Sequence, residues 1–178
     1  SIPSPPEVNQ AIISTIQEMD SLDIHGYTPA PGAMPARKAI ADDLNARFHT
    51  SIRGENIFFT CGAAPALISV IRALAVEGAE IMAIAPFFPE YRPFTEQSGA
   101  SFVVVPADTK SFQISMEAVE ARITPHTQAV IINSPNNPSG VVYTRETLSS
   151  LGELLTRKSA EYGHPIYIIA DEPYRELV

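Results

Sequence analysis

The sequence has 178 residues, a formal net charge of −8 and a hydrophobic fraction of 45%, which is enough apolar material for one domain with its own core. Lys and Arg are scattered along this acidic chain, which excludes the basic stripe of a nucleic-acid-binding surface, and no apolar run approaches the length of a membrane span. The one cysteine, Cys61, excludes an intrachain disulfide and favours a reducing, cytoplasmic compartment.

Short apolar runs alternate with amphipathic segments along the chain. Because the apolar runs are continuous, they predict parallel strands buried on both faces. The predicted strands are 57–60, 81–85, 102–105, 129–133 and 166–170. This order predicts an α/β fold, a mostly parallel sheet with helices on both faces.

The helix patterns between these strands have recognisable ends and apolar faces. Residues 63–76 are apolar almost all round, which predicts a buried helix. Ser115 and Thr144 are predicted N-caps, and Gly163 is a predicted helix stop. Two further helices are predicted from stripes of apolar residues at helical spacing: Val8, Ile12, Ile16 and Met19 in the first, and Ala36, Ile40, Leu44 and Phe48 in the second.

Chemistry-bearing residues follow four of the five predicted strands. Ligands of open α/β sheets bind beyond the carboxyl ends of the strands, so these residues are expected to share one edge. Gly62, Ala63 and Ala64 form a helix start that is able to bind an anion. The other groups are the aromatic ring of Phe88, the amide of Asn137, the carboxylate of Asp171 and the phenol of Tyr174. Such parts suit a flat, phosphorylated, nitrogenous ring.

Each of these features also has an ordinary structural explanation. The Gly62 turn could serve only strand–helix packing, and Phe88 could be a core phenylalanine. Asp171 could be a helix N-cap, and Tyr174 an ordinary half-buried tyrosine. The Asn-Asn-Pro-Ser-Gly run at 136–140 also forms a turn in its own right. The ordered combination, more than any single residue, favours a ligand site.

Four motifs together resemble the class I/II aminotransferases that use pyridoxal 5′-phosphate and have the aspartate-aminotransferase fold (fold type I). The family patterns are Y-x-x-x-x-G-x-x-x-L-R-x-A-I-A, T-x-G-x-x-x-A-L, N-x-P-N-N-P-T-G and D-E-x-Y. They are matched by segments beginning at Tyr27, Thr60, Asn133 and Asp171, with Ala36 at the Leu position of the first pattern and Ser139 where the family usually has Thr. The resemblance covers nearly the whole chain.

The resemblance implies a role for each site residue. The amides of Ala63 and Ala64, after Gly62, would hold the cofactor phosphate, and Phe88 would stack on the pyridine ring. Asn137 and Tyr174 would bind the ring's 3′ oxygen, and Asp171 would pair with the ring nitrogen. Tyr27 would reach the phosphate of a neighbouring subunit. A homodimer is therefore implied, and the catalytic residues in this chain would be Asp171 and Tyr174.

The family's Schiff-base lysine lies downstream of its D-E-x-Y motif, and no lysine of this sequence occupies a matching position. The only lysines are Lys38, Lys110 and Lys158. We therefore expect residues 1–178 to be a truncated large domain, with 1–26 as an N-terminal segment and helix, 27–178 as the sheet and cofactor pocket, and the small domain absent. The fragment alone is expected to be inactive.

The parent protein is accordingly predicted to transfer an amino group between an amino acid and a 2-oxo acid, with an aspartate or aromatic type favoured on resemblance alone. A β-elimination lyase or decarboxylase of the same fold and a non-catalytic ligand-sensing module remain alternatives. A nucleoside triphosphatase and a dinucleotide-binding oxidoreductase are disfavoured, because their glycine motifs are missing. The four histidines lie apart without metal-ligand spacing, so no metal site is expected.

Overall fold

The computed structural model describes residues 3–178, which divide after Phe59 into two compact units, 3–59 and Thr60–Val178. The first unit is helical. Its elements are α1 (Pro6–Glu18), α2 (Ser21–His25), α3 (Met34–Phe48) and a 3₁₀ turn at Gly54–Asn56. No helix within residues 3–178 is both long and apolar enough to cross a membrane.

The apolar stripes predicted for α1 and α3 are not the buried faces of these helices. In α1, Val8, Ile12 and Ile16 are 44–61% exposed. In α3, the buried residues are Arg37 and Ala41. Periodicity identifies a helix, but which side is covered depends on what lies beside it.

The predicted strand at 57–60 is wrong, because these residues form no strand. Ile57 has extended dihedral angles, φ −98° and ψ 132°, yet no described strand pairs with the segment. Its polar groups bind elsewhere in the first unit: Arg37 Nε donates to the Ile57 carbonyl at 2.7 Å, and the Phe59 amide donates to the Pro31 carbonyl at 3.0 Å. A strand needs a partner as well as an extended sequence.

The second unit is an α/β structure built on a four-stranded parallel sheet, as predicted. Its order is β2-β1-β3-β4. The elements along the chain are α4 (Ala63–Leu74), β1 (Glu80–Ile84), α5 (Tyr91–Gln97), β2 (Ser101–Val105), α6 (Met116–Glu120), β3 (Thr127–Asn133), α7 (Arg145–Tyr162), β4 (Tyr167–Asp171) and a 3₁₀ turn at Arg175–Leu177.

Helices cover both faces of the sheet, which confirms the layered prediction. Alternate residues of each strand point to opposite faces, so Ile81 joins Leu67 and Ile71 of α4 and Tyr91 of α5 in one core. Met82 belongs to the other core, which includes Val119 of α6 and three leucines of α7: Leu151, Leu154 and Leu155. The helix α4, predicted to be buried, is covered on one side only. Its residues Ile68 and Val70 are 38% and 44% exposed.

The predicted caps of the later helices are confirmed. The Ser115 side chain accepts from the Ala118 amide, and the Thr144 side chain accepts from the Thr147 amide. Gly163 ends α7 in the left-handed conformation at φ 75°. These ends are set by local hydrogen bonds and backbone conformation, which is why a short stretch of sequence predicts them.

Candidate cofactor site

A cavity of about 160 Å³ lies at the carboxyl ends of the strands of the second unit. The strands β1 and β3 are neighbours, but the helices that follow them, α5 and α7, pack on opposite faces of the sheet. Such a point of divergence leaves a crevice, where open α/β sheets bind ligands. The lining residues are Ala63, Ala64, Leu67, Phe88, Asn133, Asn137, Asp171, Pro173 and Tyr174.

The start of α4 presents backbone amides to this cavity. Gly62, the residue before the helix, has φ 103°, which only glycine adopts readily, and no side chain caps the helix. The first amides of a helix have no intrahelical acceptor, so those of Ala63 and Ala64 are available for an anion. Gly62 itself is not among the lining residues; it shapes the turn, which is closed by Thr60 Oγ1 donating to the Gly62 carbonyl at 2.7 Å.

Phe88 lines the cavity and also contacts the core. Its ring is half-buried and lies edge-on to Tyr91, with ring centroids 5.7 Å apart and an interplanar angle of 72°. Phe88 therefore makes the core contact of the structural explanation and also lies at the cavity, and its role toward a ligand stays a prediction. A ring held in this way offers an aromatic surface to a flat ligand.

Asn137 and Tyr174 are brought together from distant parts of the sequence. Asn137 Nδ2 donates to the Tyr174 hydroxyl at 3.4 Å. The Asn137 backbone amide donates to Asn133 Oδ1 at 2.6 Å, which fixes the loop after β3. Both side chains are half-buried, so their polar atoms combine an ordered position with access to the cavity.

Asp171 is the last residue of β4, and its carboxylate belongs to the cavity wall. The explanation as a helix N-cap is wrong, because the following 3₁₀ turn is preceded by Tyr174 and begins at Arg175. The Tyr91 hydroxyl donates to Asp171 Oδ2, and Asn133 Nδ2 donates to the Asp171 carbonyl at 2.7 Å. Asp171 is the only charged side chain among the lining residues.

Sequence reasoning missed two residues that organise the site, Tyr91 and Asn133. Asn133 opened a recognised motif, but it carried no role of its own. Tyr91 follows Phe88 by one turn, and its amide donates to the Phe88 carbonyl at 3.1 Å. That spacing was a usable signal, although its partner Asp171 could not be identified without the strand order.

Tyr27 belongs to the first unit and is fully exposed. Its expected role at the phosphate of a neighbouring subunit stays a prediction. Arg37 of the same unit has a structural role, because its guanidinium binds the Ile57 carbonyl and lies 5.7 Å from the Phe58 ring centroid.

The arrangement combines anion-binding amides, an aromatic surface, a paired amide and phenol, and one carboxylate. No Lys or Arg lines the cavity, so an anion there would depend on amide groups and the dipole of α4. The carboxylate suits a protonated ring nitrogen or another cationic group. These groups fit a flat ring that carries both a phosphate and a basic nitrogen.

Comparison with known proteins identifies a family for the whole described chain. The family model of aminotransferase class I and II matches residues 3–178. A probable N-succinyldiaminopimelate aminotransferase of Mycobacterium tuberculosis is 32% identical over 177 residues, which cover 98% of this chain and 42% of the relative. The aspartate aminotransferase of Thermotoga maritima is 37% identical over 153 residues, covering 85% of this chain and 39% of the relative.

Solved structures agree in fold. An aminotransferase from Eubacterium rectale superposes with a TM-score of 0.98 at 51% identity, covering 100% of this chain and 45% of that one. The aspartate aminotransferase of Thermus thermophilus with maleate gives a TM-score of 0.88 at 28% identity, covering 100% of this chain and 44% of that one. The sequence thus spans less than half the length of these relatives. On the family match and these similarities, the chain belongs to the aminotransferase class I and II family.

Proposed function

We propose that this chain is the cofactor-binding part of a pyridoxal 5′-phosphate-dependent aminotransferase, which moves an amino group between an amino acid and a 2-oxo acid. Members of the family depend on this cofactor. The observation that carries the proposal is that the start of α4, the Phe88 ring and the Asp171 carboxylate line one cavity. Separately these features are common in proteins, whereas their convergence matches the phosphate, ring and ring nitrogen of one molecule.

The residues of the cavity fit the cofactor group by group. The amides of Ala63 and Ala64 would bind its phosphate. Phe88 would lie against the ring of the cofactor. Asn137 and Tyr174 would hydrogen-bond its 3′ oxygen, and Asp171 would face its nitrogen. The bound cofactor supplies an electron-withdrawing ring, and the Asp171 carboxylate would hold the proton on its nitrogen. Asp171 and Tyr174 are therefore the proposed catalytic residues of this chain, with Tyr27 and the turn at Gly62 completing the proposed cofactor set.

The family's reactive lysine has no counterpart at this cavity. In the second unit, Lys158 of α7 pairs with Glu161 at 2.8 Å and Lys110 is exposed, and neither lines the cavity. Lys38 of the first unit pairs with Asp42 at 2.6 Å. We place the lysine, the base for proton transfer at the substrate, outside residues 1–178. The 178-residue chain alone is then expected to lack turnover.

Further parts of the proposal come from the family resemblance. They are a homodimer with shared sites, in which Tyr27 reaches a neighbouring subunit. The proposed cytoplasmic location rests instead on the single cysteine, Cys61. Within the sequence, 1–26 would be an N-terminal segment, and 27–178 the cofactor-binding part of the large domain. A β-elimination lyase is not favoured, because the similar proteins named above are aminotransferases.

The test uses the complete protein that carries this sequence, saturated with pyridoxal 5′-phosphate. A panel of ¹⁵N-labelled amino acids, aspartate and aromatic ones included, is supplied with 2-oxoglutarate. Appearance of ¹⁵N-glutamate is the expected result. Release of ¹⁵N-ammonia with a new 2-oxo acid would favour the lyase, and cofactor binding without either product would favour the ligand-sensing module. The isolated 178-residue chain serves as the control without turnover.

A further inference from the structure

Tyr91 is a buried tyrosine whose hydroxyl contacts the candidate site from the core side of the cavity wall. It is the first residue of α5 and 1% exposed, packed in the same core as Ile81 of β1. Its hydroxyl donates to Asp171 Oδ2. The ring of Tyr91 does not line the cavity, so its hydroxyl reaches the site only through this carboxylate.

One oxygen of the Asp171 carboxylate accepts a hydrogen bond, and the other has no hydrogen-bond partner within residues 3–178. Oδ2 accepts from Tyr91, and in the part of the chain that the structure describes the only other hydrogen bond of Asp171 outside the sheet runs from Asn133 Nδ2 to its carbonyl. Within residues 3–178, Tyr91 is thus the one side chain that orients this carboxylate. A carboxylate held through one oxygen presents the other in a fixed direction.

The environment of Tyr91 keeps its hydroxyl a donor. Burial, then the hydrogen bond to Asp171 and the charge of that carboxylate, raise the pKa of the Tyr91 phenol well above its usual value. The phenol therefore stays protonated at any physiological pH. Since an ionised carboxylate only accepts hydrogen bonds, the pair has a single direction of donation.

Tyr91 also couples the carboxylate to the aromatic wall. Its backbone amide donates to the Phe88 carbonyl, and its ring lies edge-on to the Phe88 ring. The segment after β1 thus carries both Phe88, whose ring lines the cavity, and Tyr91, whose hydroxyl binds Asp171. Their relative positions are set by the local backbone geometry of residues 88–91.

We infer that Tyr91 is a positioning residue that acts through Asp171, holding its Oδ2 so that the other oxygen is aimed at the ring nitrogen of the bound cofactor. This inference rests on the proposed function and deepens it. It differs from a purely structural role, in which the hydroxyl would stabilise the fold with no effect on the cofactor.

The variant Tyr91→Phe in the complete protein removes only the hydroxyl and keeps the ring packing. Since a hydrogen bond to a charged group is involved, we expect kcat to fall about tenfold and the cofactor dissociation constant of the apoprotein to rise about tenfold. The KM for the amino acid should change by less than about twofold, because Tyr91 would not touch substrate. Tyr143→Phe is the matched control, because this tyrosine of the opposite core is 6% exposed and its hydroxyl makes no hydrogen bond within residues 3–178.

A double-mutant cycle with Asp171→Asn distinguishes the two roles. If Tyr91 acts through Asp171, Tyr91→Phe should change the dissociation constant by less than about twofold in the Asp171→Asn background. Equal effects of Tyr91→Phe in both backgrounds would overturn the inference. So would a Tyr91→Phe protein with lowered thermal stability but wild-type kcat and cofactor affinity.

A second measurement avoids any folding defect of Tyr91→Phe. In apoprotein labelled with ¹³C at the tyrosine ζ carbons, Asp171→Asn should shift the Tyr91 resonance at neutral pH, because it removes the charge of the group that accepts the hydrogen bond of the phenol. An unchanged Tyr91 resonance would overturn the pairing. Wild-type protein that takes up no pyridoxal 5′-phosphate would overturn the proposed function and this inference together, whereas failure of the variants alone would overturn only the role of Tyr91.

Discussion

The side-chain amide of Asn133 donates a 2.7 Å hydrogen bond to the backbone carbonyl of Asp171. The two residues are paired in register at the carboxyl ends of β3 and β4. Asn133 Oδ1 also accepts from the Asn137 amide at 2.6 Å. One buried side chain thus ties the carboxylate strand to the loop that carries the amide of the candidate site.

Replacing Asn133 should destabilise the protein and loosen the site. Asn133 is 3% exposed, and Asn133→Ala leaves the Asn137 amide without its acceptor. We expect the free energy of unfolding to fall by about 2 kcal/mol in denaturant titrations. Gln128→Ala on the same strand is the control, because its amide makes only a 3.4 Å bond. Equal losses in the two variants would contradict the linking role of Asn133.

Phe88→Ala should weaken cofactor binding in the complete protein. Loss of an aromatic contact worth about 1 kcal/mol, together with the lost apolar surface, predicts a dissociation constant raised about tenfold in absorbance titrations. Phe87→Ala is the control, since Phe87 packs on Phe102 at 5.0 Å between ring centroids and does not line the cavity. Both variants should lose stability. An unchanged dissociation constant in Phe88→Ala would remove this ring from the site.

Asp171→Ala should separate binding from turnover. Other cavity residues would still hold the cofactor, so some affinity should remain, while the electrostatic contribution of the carboxylate is lost. We expect kcat to fall by about 10²–10³ in steady-state assays. Glu172→Ala removes the neighbouring carboxylate, which pairs with Arg175 at 3.2 Å, and should keep most activity. Near-normal turnover of Asp171→Ala would refute its proposed role.

Gly62→Ala should be destabilising although there is room for a methyl group. An added Cβ would meet nothing within 4 Å, so the cost arises from φ 103° alone. We expect a loss of about 1–2 kcal/mol in the free energy of unfolding. Gly152→Ala also meets nothing within 4 Å but lies inside α7, so it should stabilise by about 0.5–1 kcal/mol. The same sign in both variants would refute the backbone explanation.

Stability should fall at alkaline pH because two buried tyrosines resist ionisation. Burial raises the pKa of Tyr143, and burial with the hydrogen bond to Asp171 raises the pKa of Tyr91. A raised pKa in the folded state gives stability that is complete below the unfolded value of about 10 and is lost as pH rises towards the folded value. Unfolding free energies measured from about pH 8 to 11 should therefore decline above pH 10.

The same titration identifies the residues responsible. Tyr91→Phe and Tyr143→Phe should each flatten the decline. Tyr167→Phe, at a position 48% exposed on β4, is the control that should leave it unchanged. A decline of wild-type steepness in both buried-site variants would contradict this origin.

Local sequence predicted much of the second unit. The caps at Ser115 and Thr144 and the stop at Gly163 follow from hydrogen bonds and dihedral angles within a few residues. The first unit was less predictable: the buried polar residue of α3 is Arg37, outside the apolar stripe, because its guanidinium finds the Ile57 carbonyl. A pattern of apolar residues carries no information about such a distant acceptor.

The order of residues along the chain suffices to predict the α/β class, the alternation of strands and helices, and the set of residues that follow the strands. It also fixed the glycine turn before α4, because the conformation at Gly62 is a local requirement. The packed fold alone shows that β1 lies beside β3 and β3 beside β4, which brings Tyr91 and Asn133 to Asp171. Strand order depends on which surfaces bury each other across the whole chain, so it cannot be inferred from neighbouring residues.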